Sequence, residues 1–271
     1  MKFSVLMSVY EKENPEYLRL SLESILVHQT VIPTEVILVE DGPLNDGLYS
    51  VLEEFKTQFA FFKTIPLEKN VGLGIALNEG LKHCSHEWVA RMDSDDIAVR
   101  DRFEIQLKYL KDHPMVDLLG GGILEFGKTI EEVVSKKVLP TTIEEIRVYS
   151  KKRNPFCHMT VMFKKSAVWD AGGYLHLPYV EDYYLWVRML ALKKNVANVP
   201  NILVYARVGN GMTERRGNRA QINSWKILNE FMLKHKLITP LEMFINQIYI
   251  RVFVSLPPDL KKLIYGKLLR K

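Results

Sequence analysis

The chain has 271 residues, 47% of them hydrophobic and 25% charged, and a formal net charge of +5. This ordinary globular composition has no low-complexity segment, and the length fits one large α/β domain or one domain with an appendage. Two cysteines, Cys84 and Cys157, give neither zinc spacing nor a disulfide framework, and they read as reduced thiols.

The apolar run Phe3–Val9 predicts a buried strand rather than a signal peptide. It is short, lacks a small-residue cleavage site and runs directly into Glu11-Lys12-Glu13. Pro15 stands where a first helical turn would begin, and Tyr17, Leu18, Leu22, Ile25 and Leu26 follow at helical spacing. Pro33 breaks the chain, residues 36–39 form a second buried strand, and Asp41-Gly42-Pro43 is a turn. Then come a helix through Leu52 and Phe55, a strand over 61–65, and a helix opened by Gly72 that carries Ile75, Leu77 and Leu81. A fourth strand over 88–92 runs into Asp93-Ser94-Asp95-Asp96. The alternation of strand and helix implies a mostly parallel sheet with helices on both faces.

The second half is less regular. The patterns predict a helix over 103–110, a glycine-rich run over 115–126 that passes the sheet edge, and a strand over 160–163. A helix over 183–192, a strand over 196–206 and helices from 218 onward follow, the last interrupted by Pro240 and Pro257-Pro258. Nothing approaches the roughly 18 consecutive apolar residues of a membrane span, so the catalytic part is expected to be soluble.

In open α/β sheets ligands bind beyond the carboxyl ends of the strands. Three such ends here are polar: Ser8-Val9-Tyr10-Glu11, Glu40-Asp41-Gly42 and Arg91-Met92-Asp93-Ser94-Asp95-Asp96. They are expected to converge on one crevice. Three carboxylates within residues 93–96 repel one another unless a cation neutralises them, and carboxylate oxygens favour Mg²⁺ or Mn²⁺. A helix N-cap is the competing reading, but one cap needs only one acid. Asn70-Val71-Gly72-Leu73-Gly74 lacks the third glycine of a dinucleotide fingerprint; it reads equally as a tight turn or as backbone touching a ligand. On spacing alone, Glu181-Asp182 is either a cap or a catalytic pair, and His158 a core histidine.

Taken together, Ser-Val-Tyr-x-x-Glu, Glu-Asp-Gly, Asn-x-Gly-x-x-x-Ala-Leu-Asn, Arg-Met-Asp-x-Asp-Asp and Glu-Asp, in that order, resemble the family 2 glycosyltransferases of GT-A fold, amylovoran-biosynthesis type. The likeness runs from residue 3 to about residue 210. It implies a GT-A domain over 1–217 and a helical C-terminal extension over 218–271. Ser8, Tyr10, Glu11 and Asn70 would line the nucleotide-sugar pocket, Asp41 would accept the base N–H, and Arg91 would sit close to the nucleotide. Asp93 and Asp95 would form the Asp-x-Asp motif, Asp95 on a Mn²⁺ or Mg²⁺ ion and Asp93 nearer the ribose and diphosphate. His158 falls where some relatives place a metal- or diphosphate-facing histidine, and Asp182 would be the general base. Glu40 departs from the aspartate usual at its position.

The implied reaction moves a hexose, galactose favoured, from a UDP-sugar to a lipid-linked saccharide with inversion, at the inner face of the cell membrane. Nucleic acid is not an expected partner. A nucleotidyltransferase would want a glycine-rich basic loop near the N-terminus, whereas Glu11 and Glu13 are acidic. A non-catalytic membrane or RNA module leaves the acidic residues unexplained. In the extension, apolar residues from Leu241 to Phe253 read as packing on the catalytic domain. Those from Leu260 to Leu269, interleaved with Lys261, Lys262, Lys267, Arg270 and Lys271, read as a basic amphipathic helix on the membrane surface.

Overall fold

The structure, a computed structural model, describes residues 1–209 and 219–256. β1 (Phe3–Val9) is buried almost throughout, because both faces of a parallel strand are covered by helices. α1 (Pro15–Leu26) begins where the Asn14 side chain accepts the Glu16 N–H at 2.8 Å, with Pro15 in the first turn. β2 (Glu35–Glu40) is wholly buried, and α2 (Asp46–Gln58) starts on Asn45, whose side chain accepts the Leu48 N–H at 3.0 Å. β3 (Phe62–Pro66), α3 (Leu73–His83) and β4 (Trp88–Arg91) complete the predicted alternation.

The second half contributes β5 (Ile97–Ala98), α4 (Arg102–Asp112), β6 (Leu118–Phe126), β7 (Val133–Lys137) and α5 (Ile143–Tyr149). A 3₁₀ turn (His158–Thr160), β8 (Met162–Lys164), α6 (Lys165–Asp170), α7 (Glu181–Ala191) and β9 (Val196–Arg207) follow. α8 (Arg219–Lys234) and α9 (Pro240–Ser255) close the described chain. The strand expected over 160–163 thus starts later, after a 3₁₀ turn. The expected domain boundary at residue 217 and the basic segment from Leu260 lie outside the described residues.

The strands form one sheet in the order β3-β2-β1-β4-β8-β6-β9-β5, with β7 pairing β6. β3, β2, β1 and β4 are mutually parallel, as are β6 and β9, while β8, β5 and β7 run against their neighbours. The fold is the expected GT-A α/β architecture with a mostly parallel sheet. The glycine-rich run corrects the sequence reading: β6 lies inside the sheet between β8 and β9, not past its edge. Its glycines answer to close neighbours. A Cβ on Gly121 would lie 2.5 Å from Leu203 Cδ1, and one on Gly122 2.9 Å from the Lys137 carbonyl.

Strand alternation splits the core between the two faces. Phe3, Val5, Met7 and Val9 pack with Leu18, Leu22, Leu52 and Phe103 from α1, α2 and α4. Leu6 and Ile37 face the other way, against Leu77 and Leu81 of α3 and Leu185, Trp186 and Met189 of α7. A third cluster joins Tyr183 and Val187 on the outer side of α7 to Leu228 and Met232 of α8 and to Ile238. α9 is started by a Thr239–Glu242 capping box with Pro240 in its first turn. Only Asn246, Ile250 and Phe253 of α9 are buried; Leu241 is 66% exposed and Phe244 63%. The reading of this stripe as packed inward holds for Phe253 and is corrected for Leu241, Phe244, Ile245, Ile248, Tyr249 and Val252, which are exposed. The helix docks through the side centred on Asn246 and turns its apolar stripe outward.

Candidate active site

Parallel pairing brings the carboxyl ends of β1, β2 and β3 to one sheet edge, with Val9 beside Glu40 and Glu40 beside Pro66. Beyond that edge lies a cleft of about 510 Å³. Tyr10 and Glu11 from the β1 end, Asp41 from the β2 end and Asn70 after β3 line it, so four of the predicted pocket residues meet there. Lys12, Leu44 and Lys69 also line it. Leu44 and Lys69 stand in no motif, although each directly neighbours a residue or turn that does, and Lys12 fills an unspecified position of Ser-Val-Tyr-x-x-Glu. Ser8, half-buried, sits two residues before Tyr10 in the same strand end.

Asp41 organises this wall. Its carboxylate, 4% exposed, accepts the Val71 N–H at 2.7 Å and the Gly72 N–H at 3.1 Å, while Asn70 Nδ2 donates to its carbonyl at 3.2 Å. Each carboxylate oxygen keeps a second lone pair for a ligand. Gly42 is needed for this close approach: its φ is +87°, and an added Cβ would lie 2.6 Å from Asn70 N. The Asn-Val-Gly turn is thereby explained structurally, because two of its backbone donors are spent on Asp41.

The β4 end carries the charges. Arg91 is 1% exposed, and its Nη2 pairs with Asp93 Oδ1. Its Nε and Nη1 are buried with no hydrogen-bond partner. Two unpaired donors on a buried guanidinium are costly and mark a place where an anion belongs. The acidic residues that follow do not cap α4, whose N-cap position is Asp101. β5 intervenes and pins residues 93–96 against β9. Ser21 Oγ donates to the Asp93 carbonyl at 2.7 Å, and Arg207 Nε to the Asp95 carbonyl at 3.1 Å. The Arg207 N–H also donates to Asp96 Oδ1 at 2.8 Å, and its guanidinium lies 3.8 Å from the Tyr17 ring centroid. Burial, reinforced by the charges of Asp93 and Asp95, pushes Asp96 well above the usual carboxylate range. Asp96, 3% exposed, is therefore an internal strut, whereas Asp93 and Asp95 are only half-buried and can be reached by a ligand.

Asp182 stands in the first turn of α7, but the N-cap position is Val180, so it is not the cap. Asn154 Nδ2 donates to its Oδ2 at 2.6 Å and the Tyr183 N–H to its Oδ1 at 2.7 Å. Burial raises its pKa, and the hydrogen bonds from the Tyr183 N–H and Asn154, then the charges of Arg91 and Lys137, oppose the rise. His158 also feels the charge of Arg91. Its Nε2 is 2.9 Å from Tyr174 Oη, and burial together with Arg91 pushes its pKa well down, so the imidazole is neutral. Asn78 fastens this wall to α3, donating to the Tyr174 carbonyl at 2.6 Å and accepting the Tyr174 N–H at 2.8 Å.

Among the described residues no three His, Cys, Asp or Glu side chains cluster to hold a metal, and His158 does not gather with Asp93 and Asp95 into such a set. Two carboxylates completed by phosphate oxygens and water are nevertheless a donor set that Mg²⁺ or Mn²⁺ accepts, and Asp93 and Asp95 fit that role. Asn154, Tyr174 and Arg207 were not singled out from the sequence. Arg207 lies 111 positions from Asp96, and no local pattern links them. Asn78 did stand in a quoted motif, without a role.

Residues 4–172 match the family model described as Glycosyl transferase family 2. The chain is 44% identical over 214 residues to the amylovoran biosynthesis glycosyltransferase AmsE of Erwinia amylovora, covering 79% of each. It is 37% identical over 272 residues to the UDP-Gal:alpha-D-GlcNAc-diphosphoundecaprenol beta-1,3-galactosyltransferase of Escherichia coli, covering 100% of this chain and 97% of that one. The crystal structure of S. aureus TarS 1-349 in complex with UDP-GlcNAc superposes with a TM-score of 0.69 at 19% identity, over 93% of this chain and 72% of that one. That last likeness speaks for the fold, and the sequence matches for the family. The chain belongs to glycosyl transferase family 2 and is a glycosyltransferase.

Proposed function

We propose that the chain moves a hexose, galactose favoured, from a UDP-sugar to a hydroxyl of a lipid-linked saccharide in surface-polysaccharide synthesis, inverting the anomeric carbon. The observation that carries this reading is Arg91. A buried guanidinium with two unpartnered donors, at the carboxyl end of β4 alongside β1, suits the diphosphate of a nucleotide sugar. The names of the Erwinia and Escherichia relatives support the polysaccharide context, the UDP-galactose donor and the lipid diphosphate acceptor.

In this reading the nucleoside lies in the cleft by Tyr10, Asp41 and Asn70, with Lys12 and Lys69 facing its phosphates. Asp95, with Asp93, would hold a Mn²⁺ or Mg²⁺ ion that neutralises charge developing on the leaving diphosphate. Asp93 is oriented by Arg91, and Arg207 and Asp96 keep the loop in place. Tyr174 and His158 form the neutral wall beside Arg91. Asp182, held by Asn154 and the Tyr183 N–H, takes the proton from the acceptor hydroxyl as that oxygen attacks. Attack on the face opposite the diphosphate inverts the carbon without a covalent intermediate. We place the enzyme at the cytoplasmic face of the cell membrane, where a lipid-linked acceptor is found.

The test is a screen of nucleotide sugars with Mn²⁺ and a lipid diphosphate-linked N-acetylglucosamine, reading both nucleoside diphosphate and sugar product. UDP-galactose is expected to release UDP and give a product of inverted configuration. Release of pyrophosphate from a nucleoside triphosphate and a sugar phosphate would identify a nucleotidyltransferase instead, and no turnover with any donor would reject the reading.

A further inference from the structure

Helix α9 is turned inside out for a helix that only caps a domain. Leu241, Phe244, Ile245, Ile248, Tyr249 and Val252 recur at intervals that place them on one face, and all are between 47% and 66% exposed. The docked side is the one with the amide: Asn246 Nδ2 donates to the Lys151 carbonyl at 2.8 Å and to Asn229 Oδ1 at 2.9 Å. No acid stands on the outward stripe. Glu242, on its flank, is paired to Lys151 Nζ at 2.9 Å. The same loop continues as Lys152 and Arg153, and then Asn154, which holds Asp182. Arg251, exposed, lies on the opposite flank. One short loop therefore links an outward apolar stripe, a basic rim and the candidate base.

We propose that the outward face of α9, rimmed by the cations Lys152 and Arg251, seats the protein on an anionic bilayer and turns Asp182 toward a lipid-linked acceptor. The second clause rests on the function proposed above. An exposed contiguous apolar stripe marks a membrane or protein surface, and charge selects the bilayer. The rim is cationic, as anionic headgroups demand, and residues 257–271 add five more Lys or Arg to the same end of the sequence. A second copy docked symmetrically would crowd two cationic flanks into one interface. No described helix is long and apolar enough to cross a membrane, so α9 lies in the plane of the interface.

Co-sedimentation of the full-length protein with phosphatidylglycerol–phosphatidylcholine vesicles and with phosphatidylcholine vesicles tests this. The wild type is expected to pellet with the anionic vesicles. The Phe244→Asp/Ile248→Asp double variant, altered only on exposed positions and checked by circular dichroism, is expected to bind at least tenfold more weakly. Lys152→Glu is expected to weaken binding to anionic vesicles while leaving binding to neutral ones unchanged. Equal pelleting of wild type and double variant, or no pelleting of the wild type at low salt, overturns the proposal. So does a wild-type dimer that the double variant dissociates without changing vesicle binding. Vesicle binding is read without turnover. A protein that binds but transfers sugar to no acceptor, including a short-tailed water-soluble one, rejects the functional reading and leaves the surface standing.

Discussion

At the scale of single residues, Glu181 and Asp182 are adjacent carboxylates in different surroundings. Asp182→Asn keeps the acceptor oxygen that faces the Tyr183 N–H but cannot take a proton. Transfer is expected to fall about 10²–10⁴-fold with donor affinity little changed, measured by steady-state kinetics and UDP binding. Because burial raises the Asp182 pKa, the acid-side fall of kcat/KM in the wild type should lie at a higher pH than a solvent-exposed aspartate would give, and that limb should vanish in Asp182→Asn. Asp95→Ala is expected to cut transfer by orders of magnitude and to weaken Mn²⁺ binding in the presence of UDP, read by calorimetry; near-normal turnover with Mn²⁺ supplied would remove the metal assignment. Glu181 is pushed by burial from 4.5 to about 7. Between those values the folded protein keeps a proton that the unfolded chain has released, so this group's contribution to stability falls as pH rises through the window. Glu181→Gln should remove that slope and raise stability at pH 8 by on the order of 1–2 kcal/mol, discounted for its partial exposure. Thermal melts of both proteins across pH 4–8 check it.

At the scale of elements, what places the acidic residues is a strand of two residues. Ile97 and Ala98 pair with Tyr205 and Val204, so residues 93–96 are held between two strands instead of opening a helix. No periodicity signals so short a strand, and for that reason the N-cap reading stayed open from the sequence. α3 shows the opposite case, because its start at Gly72 and its buried Leu77 and Leu81 are legible from spacing. Its contact with the sheet depends on Gly80, where a Cβ would lie 2.5 Å from Leu6 Cδ1 and 2.6 Å from Val39 Cγ2. Gly80→Ala gains helix propensity but overpacks the core, and the net cost is expected to be about 1–3 kcal/mol by urea denaturation. Unchanged or increased stability would mean that α3 can slide away from β1 and β2.

At the scale of the whole molecule, the catalytic half and the C-terminal layer meet at α7. Its inner side packs Leu185, Trp186 and Met189 into the sheet core, and its outer side packs Tyr183 and Val187 against α8. The helix that carries Asp182 is thus shared by the candidate site and by the layer that bears the outward face of α9. A chain ending at Leu256 would lose five basic residues but keep that face. Such a chain is expected to bind anionic vesicles more weakly, by up to about 1 kcal/mol per cation removed, and more so at low salt, while neutral-vesicle binding changes little. Co-sedimentation across salt concentrations separates the two contributions.

The sequence by itself determined the alternating first half, the strand ends that carry Tyr10, Asp41 and Arg91, and the family, because buried parallel strands and helices leave apolar runs and periodicities a reader can count. It also left open whether residues 93–96 and Asp182 were caps. Only the tertiary structure decided that neither is. It alone put β6 inside the sheet, spent the Asn-Val-Gly donors on Asp41, left two Arg91 donors without a partner and turned the stripe of α9 outward. Each of these depends on contacts between segments far apart in the chain, such as Arg207 with Asp96 or Asn154 with Asp182. Local propensity carries no record of which distant segment will arrive, since the energy that selects it comes from packing and hydrogen bonding across the fold.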